Sequence, residues 1–466
     1  MKATIFKIYF LLFSVALFSQ TGHVMQGVGA VNMSMGGAAT AQPIDINGAI
    51  LWNPATLSAF KEKEFSFSIG AFFSSPELSS SLPAGALGAG APAVSGTTLD
   101  ARGVSMMPAI AMVWAKEDSK HTFGLSAFGI SGFGVKFPEE ANNPMAGAGF
   151  NPTGNSNPIN YPQAAMGFGL IESDYMLLQV SLSYSYQLSD KFSIGFQPNI
   201  DYAALQLAPN PLASPDFPPP NGTGKGYPTT DKASAIGYGA QVGVFYDSGE
   251  MLKLGMSYKT KQSFGELDFK QTYLDGSAAP NVQFTMNYPA IFSVGMGLSG
   301  EKFDFALDYR TVFYEDTEGF KESGWQIATS GPATGFPTGA VNGFGWQNMS
   351  IISAGLQYQI TEKMPIRVGY TYSSNAIKDE LAFFSAPAPA VINNAAQIGL
   401  GYKFNDKWEL NALYHQGFRG DGVTGELLSP TAITATNPLG AMSGTSVSYN
   451  METSLIQFTI NYTFGK

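Results

Sequence analysis

The sequence predicts an all-β protein: a transmembrane, antiparallel, up-and-down β-barrel of about fourteen strands, with an N-terminal segment folded into its lumen as a plug. Three observations predict it. The first is periodicity. Val180 to Ile200 reads VSLSYSYQLSDKFSIGFQPNI, where apolar and aromatic residues alternate with Ser, Gly and Gln on both sides of a tight Ser189-Asp190-Lys191 turn. Strand side chains have a period of two, so each strand shows one apolar face and one face of small polar groups. In the closing segment, Ile456, Phe458, Ile460, Tyr462 and Phe464 share one face while Gln457, Thr459, Asn461 and Thr463 share the other. Apolar residues outward and small polar residues inward, repeated along a chain, are the pattern of a membrane barrel.

The second observation is composition. The 466 residues are 44% hydrophobic and only 13% charged, against roughly 25% charge in an average soluble domain. Beyond the N-terminus no segment approaches the ~20 apolar residues of a membrane helix, so any crossing is by strands. The third is the alternation of two kinds of connection. Short charged ones (116–120, 189–191, 247–250, 299–302, 361–363 and 405–407) are interleaved with long Gly-, Pro- and Ser-rich ones (74–103, 138–174, 208–232, 317–348 and 420–446). Bacterial barrels have short periplasmic turns, long external loops and an even strand number.

Taken in order, Lys2 and Lys7 precede the apolar run Ile8–Phe18, which makes residues 1–20 an export signal; the run is too short for an anchor helix. Residues 21–60 lack barrel periodicity and are broken by Gly22, Gly27, Gly29, Gly36, Gly37 and Gly48. They have two natural homes, the periplasm or the lumen as a plug, and a fourteen-strand lumen is wide enough to need filling. Residues 61–466 form the barrel, with strands expected at 64–73, 104–114, 122–137, 175–187, 191–206, 235–246, 252–269, 281–298, 303–315, 349–360, 364–373, 395–404, 408–417 and 447–464.

The chemistry the chain lacks is as informative. There is no cysteine, which removes disulfides and thiol catalysis. A net charge of −10 argues against nucleic acid. Three histidines occur: His23 near the mature start, His121 in a short turn, and His415 at the outer end of strand thirteen, read as a rim residue. No Ser–His–acid arrangement is evident, the Gly-rich loops lack the Lys-Ser/Thr ending of a phosphate cradle, and nothing calls for a metal or a cofactor. An enzyme is not expected.

The stretch Gly29-Ala-Val-Asn-Met-Ser-Met-Gly-Gly-Ala-Ala39, leading into Asn53-Pro54-Ala55 just before strand one, resembles the FadL/TodX (OMPP1) family of outer-membrane transporters for long-chain fatty acids and hydrocarbons. Tyr288-Pro289-Ala290 is similar to that family's Pro-containing strand eight, and the resemblance covers nearly all of the mature chain. It implies passive transport of a hydrophobic small molecule across a Gram-negative outer membrane. Asn53, Pro54 and Ala55 would anchor the plug to the first strand. Strand three reads FGLSAFGISGFGVKF, and Gly129, Gly132 and Gly134 would kink it inward, with the kink at Gly132 opening the wall. Glycine inside a strand marks a bulge or a close approach, and a plain bend is the simpler account. Pro144, Met145, Phe150, Met166, Phe168, Leu170 and Ile171 are candidates for an outer ligand groove.

One departure bears on cargo: the end of strand five, Asp201-Tyr202-Ala203-Ala204-Leu205, carries no basic residue to meet a carboxylate. Expected partners are the hydrophobic ligand, outer-membrane lipid and the barrel-assembly machinery, with the protein a monomer. Two other functions stay open. A general porin for polar solutes would display charged rings at its constriction, which four arginines supply poorly; a surface β-rich adhesion protein would be soluble without detergent.

Overall fold

The computed structural model describes residues 22–219, 222–331 and 333–465; the export-signal segment 1–20 lies outside the described residues. Among these, fourteen antiparallel strands close into one barrel. They are β1 Glu64–Ser74, β2 Val104–Trp114, β3 His121–Phe137, β4 Ile171–Ser189, β5 Phe192–Ala208, β6 Ala233–Asp247, β7 Leu252–Lys259, β8 Ala290–Ser299, β9 Phe303–Phe313, β10 Met349–Thr361, β11 Met364–Ser373, β12 Asn394–Lys403, β13 Trp408–Phe418 and β14 Thr453–Thr463. Each pairs with its sequence neighbours, and β14 returns to β1 with Thr463 opposite Glu64 and Ser454 opposite Phe73.

The alternation read from the sequence is the inside and outside of this wall. On β4, Ser181, Ser183 and Ser185 are buried towards the lumen while Val180 and Leu182 face out. On β5, Ile194, Phe196 and Ile200 are outward and exposed, with Ser193, Gln197 and Asn199 buried between them. The outward belt is the surface that lipid would cover.

Three strands are shorter than the pattern suggests. The expected 252–269 stops at Lys259, and 281–298 starts only at Ala290, because Leu267–Thr272 and Ala278–Phe284 pair with each other beyond the barrel rim. Pro289 sits immediately before β8, and a residue without an N–H is confined to strand starts and edges. The expected 447–464 breaks at Met451-Glu452; Ser446–Asn450 joins a separate four-stranded sheet with Glu77–Leu82, Val94–Leu99 and Val423–Gly425. These loop sheets alternate as the wall strands do, and periodicity alone does not separate the two. The connections 260–289 and 374–393 are thereby long loops, which completes the short–long alternation.

The lumen is occupied by the chain's own N-terminal segment. Residues 27–41 and 46–58 are buried throughout, and they include two short helices, α1 Ala30–Ser34 and α2 Ile46–Trp52, followed by a 3-10 turn at Pro54–Ala59. Helices this short are not self-sustaining; wall contacts hold them. Asp45 caps α2 by accepting the Gly48 N–H at 3.2 Å. The Ala30 N–H donates to Thr459 Oγ1 on β14 (2.7 Å), Thr371 Oγ1 on β11 donates to the Gly36 carbonyl (2.9 Å), and Asn47 Nδ2 donates to Ser66 Oγ on β1 (2.8 Å). On β9, Asp308 Oδ2 accepts from the Ala39 and Thr40 N–H groups at 2.8 and 2.9 Å, while Arg310 donates to the Gly37 carbonyl at 2.7 Å and stacks over the Trp52 ring at 3.7 Å.

Asn53 to Ala55 are seated differently from the expectation. They precede β1 in sequence, yet their bonds cross to the wall formed by β4, β5 and β6. Asn53 Nδ2 donates to the Thr40 and Val244 carbonyls at 2.8 and 3.0 Å, and Ser185 Oγ donates to the Ala55 carbonyl at 2.9 Å. A Cβ at Gly195 would lie 2.2 Å from the Ala55 nitrogen, so the wall must be bare there. The tripeptide is therefore fixed to the wall three to five strands round the barrel from the strand it leads into.

Candidate functional site

The wall has one interruption among its described pairings, between β2 and β3. Their ladder ends at Ala109–Phe128. β3 continues to Phe137 on β4 alone, with a register shift between Gly129 and Ser131 that leaves Ile130 as the extra residue. A bulge bends its strand and strengthens the local twist, and above it β3 has no ladder pair with β2. The break thus falls at Gly129–Ser131, just before the Gly132 that the sequence singled out. Pro108, the first β2 residue past the last pair, has no N–H, as suits a strand edge.

Backbone groups released at such a break cannot be satisfied by lipid, and here the protein supplies partners. Met25 N–H donates to the Ile130 carbonyl at 3.0 Å, and the Gly132 N–H and Ser131 Oγ both donate to the His23 carbonyl, at 3.3 and 2.9 Å. The N-terminal arm takes the place that β2 vacates. Higher up, the Ala101 N–H donates to the Lys136 carbonyl at 2.8 Å and the Lys136 N–H to Asp100 Oδ1 at 2.5 Å.

A cavity of about 470 Å³ opens at this place, within the roughly 300–1,000 Å³ of small-molecule sites. Its lumen side is lined by Met33, Phe72, Ile392 and Leu455, and its wall side by Met107 and Phe133 at the break itself. The three β3 glycines differ in their surroundings. A Cβ at Gly129 would meet open space, at Gly132 it would lie 3.1 Å from the Tyr175 carbonyl, and at Gly134 it would strike the Arg102 guanidinium at 2.4 Å.

His23, given no role by the sequence, lies beside the cavity in a cage of six rings: Phe133, Tyr175, Tyr288, Tyr314, Phe320 and Trp346, with centroids 4.7 to 6.3 Å away. Its Nδ1 is 2.8 Å from the Tyr314 hydroxyl. Burial pushes the imidazole down to about 3, so the ring is neutral. His415 is a lumen residue, not a rim one: it is buried, lines the cavity and hydrogen-bonds Gln397 at 3.1 Å. The cation absent from the end of β5 arrives from β7. Lys259, almost fully buried, donates to Gln179 Oε1 at 3.0 Å, and Gln179 Nε2 donates to Asp201 at 2.7 Å.

The outer-groove candidates do not gather. Met166 and Met145 are exposed, Phe150 and Leu170 half-buried; Phe168 stacks against Tyr227 and Phe383, and Ile171 is buried at the start of β4. None of them lines the cavity. Among the described residues no three His, Asp or Glu side chains cluster at metal-ligand spacing.

A fourteen-strand barrel with an internal N-terminal segment and a cavity at a break in its wall defines a class of outer-membrane transport protein. Residues 156–464 match the model of the outer membrane protein transport protein family (OMPP1/FadL/TodX), and the chain belongs to that family. Among solved structures it is similar to a Pseudomonas aeruginosa FadL homologue, at 14% identity and TM-score 0.68 over 96% of this chain and 100% of that one. The P. putida toluene transporter TodX matches at 16% identity and TM-score 0.64 over 95% and 99%. The Ralstonia pickettii toluene transporter TbuX matches at 16% and 0.60 over 94% and 99%. No curated protein matches the sequence.

Proposed function

We propose that this protein carries neutral hydrophobic small molecules, single-ring hydrocarbons among them, passively across the outer membrane. The cargo enters from the long-loop end, rests in the cavity above residues 22–58, and leaves sideways between β2 and β3. The observation that carries this reading is the cavity lining, which includes Met33 and Leu455 from the lumen side and Met107 and Phe133 from the two edges of the break. A ring burying about 150–250 Å² gains roughly 4–6 kcal/mol before the cost of association. That corresponds to weak, reversible binding, which suits a route without an energy source.

The similar structures include toluene transporters and a monoaromatic hydrocarbon channel, and the cavity offers such a cargo flexible thioethers and rings rather than a free cation. Arg102 at its rim is already paired. In this reading residues 22–58 are a plug that blocks the straight path, and that filling weighs against a general porin. The experiment is flux into proteoliposomes holding the purified protein. Toluene entry well above that of empty liposomes, with no sucrose entry, is expected; sucrose flux matching toluene flux would favour the porin.

A further inference from the structure

The break between β2 and β3 has an upper edge, where an ion pair lies just below the Ala101–Lys136 backbone bond. Arg102 lies two residues before β2, and its guanidinium reaches over β3 to Asp174 on β4 at 2.5 Å. It passes over Gly134, the β3 residue that faces Asp174 in register. Gly134 is bare because a Cβ would lie 2.4 Å from Arg102 Cζ. All three residues line the cavity. Below this crossing, β2 and β3 have no ladder contact down to Ala109–Phe128, and the slot between them is crossed on its β3 edge by the arm residues His23 and Met25, which bond Ile130, Ser131 and Gly132.

We propose that the Arg102–Asp174 pair is a clasp that fixes the height of this slot and so sets the largest cargo that leaves through it. The inference rests on the lateral route proposed above. Arg102 joins the β2 edge to β4 while β3 bends beneath it, so the strand that moves away cannot move further while the clasp is shut. Lys232 is the second cation on Asp174, and the Lys136–Glu172 pair at 3.3 Å and Asp100 are the other charges nearby. With 26% and 32% of their side chains exposed, Arg102 and Asp174 form a partly solvated pair that opens reversibly and weakens with salt.

The test compares toluene with naphthalene, a two-ring probe, in the same proteoliposomes. Arg102→Met removes the charge, and Gly134→Ala keeps every charge but displaces the guanidinium. Both are expected to raise the naphthalene-to-toluene flux ratio several-fold over the wild type. High salt is expected to raise the ratio in the wild type and leave it unmoved in Arg102→Met. A ratio unchanged in both variants, each shown folded by heat-modifiable mobility, overturns the clasp while leaving lateral transport intact. Toluene flux that is absent from the wild type overturns the transport reading and the clasp together.

Discussion

Asn53 Oδ1 lies where a methyl group at Gly243 would be, 1.9 Å from the position of that missing Cβ. The N-terminal segment and the β6 wall are shaped to each other at this one point. Asn53 fills it and holds Thr40 and Val244 with its amide. Asn53→Ala leaves two buried carbonyls short of a donor and is expected to cost about 1–3 kcal/mol. Gly243→Ala forces the same parts apart and should cost a similar amount. Guanidinium unfolding in detergent micelles measures both, and wild-type midpoints in either variant would deny the anchor its role.

Removing residues 22–50 takes out α1 and most of α2 along with their bonds to β1, β9, β11 and β14. The barrel ladder itself does not run through them. Planar-bilayer conductance is expected to rise from near zero to that of an open pore. A folded deletion variant with unchanged conductance would mean that the segment does not plug.

The His23 cage carries a pH dependence whose sign follows from burial. The folded value is about 3 against the ordinary 6.5 of an unburied imidazole, so the unfolded arm takes up a proton first. Stability is complete above about 6.5 and is lost as pH falls from there towards 3, at about 1.4 kcal/mol per pH unit. Amide exchange at residues 22–26, corrected for its intrinsic pH dependence, is expected to quicken between pH 6.5 and 4.5. In His23→Phe, which keeps a ring in the cage, that trend should vanish; if it persists, another group controls the arm.

Topology is open to direct labelling because the chain has no cysteine. Met166, 83% exposed in the loop between β3 and β4, should react as a single cysteine with an impermeant reagent on intact cells. Ser189, exposed at the end of β4 beside the turn to β5, should not. The reverse result would turn the barrel over.

Much of this architecture is legible in the sequence, because a wall strand must repeat with period two and the connections differ in kind on the two sides. β2 and β11 begin and end where the pattern puts them. The hairpin 267–284 was not legible as a loop, since its strands alternate in the same way as the wall. The site was legible only in part. Glycines in β3 flag the break, but Gly134 is there for Arg102, and no local pattern says so. His23 draws its cage from β3 and β4 and the loops beside β8, β9 and β10, and Lys259 reaches Gln179 from 80 positions away. Such contacts exist only once the barrel closes.

The central claim is lateral release at the break in β3, and Gly132→Val tests it most directly. The added Cβ would stand 3.1 Å from the Tyr175 carbonyl, and a β-branched side chain favours regular extended backbone over a bend. The measurement is toluene flux and toluene binding on the same folded variant. The account predicts that binding, which rests on the lumen side of the cavity, stays near wild type while flux falls at least several-fold. Wild-type flux through a folded Gly132→Val barrel would contradict it and leave a path through the plug as the route.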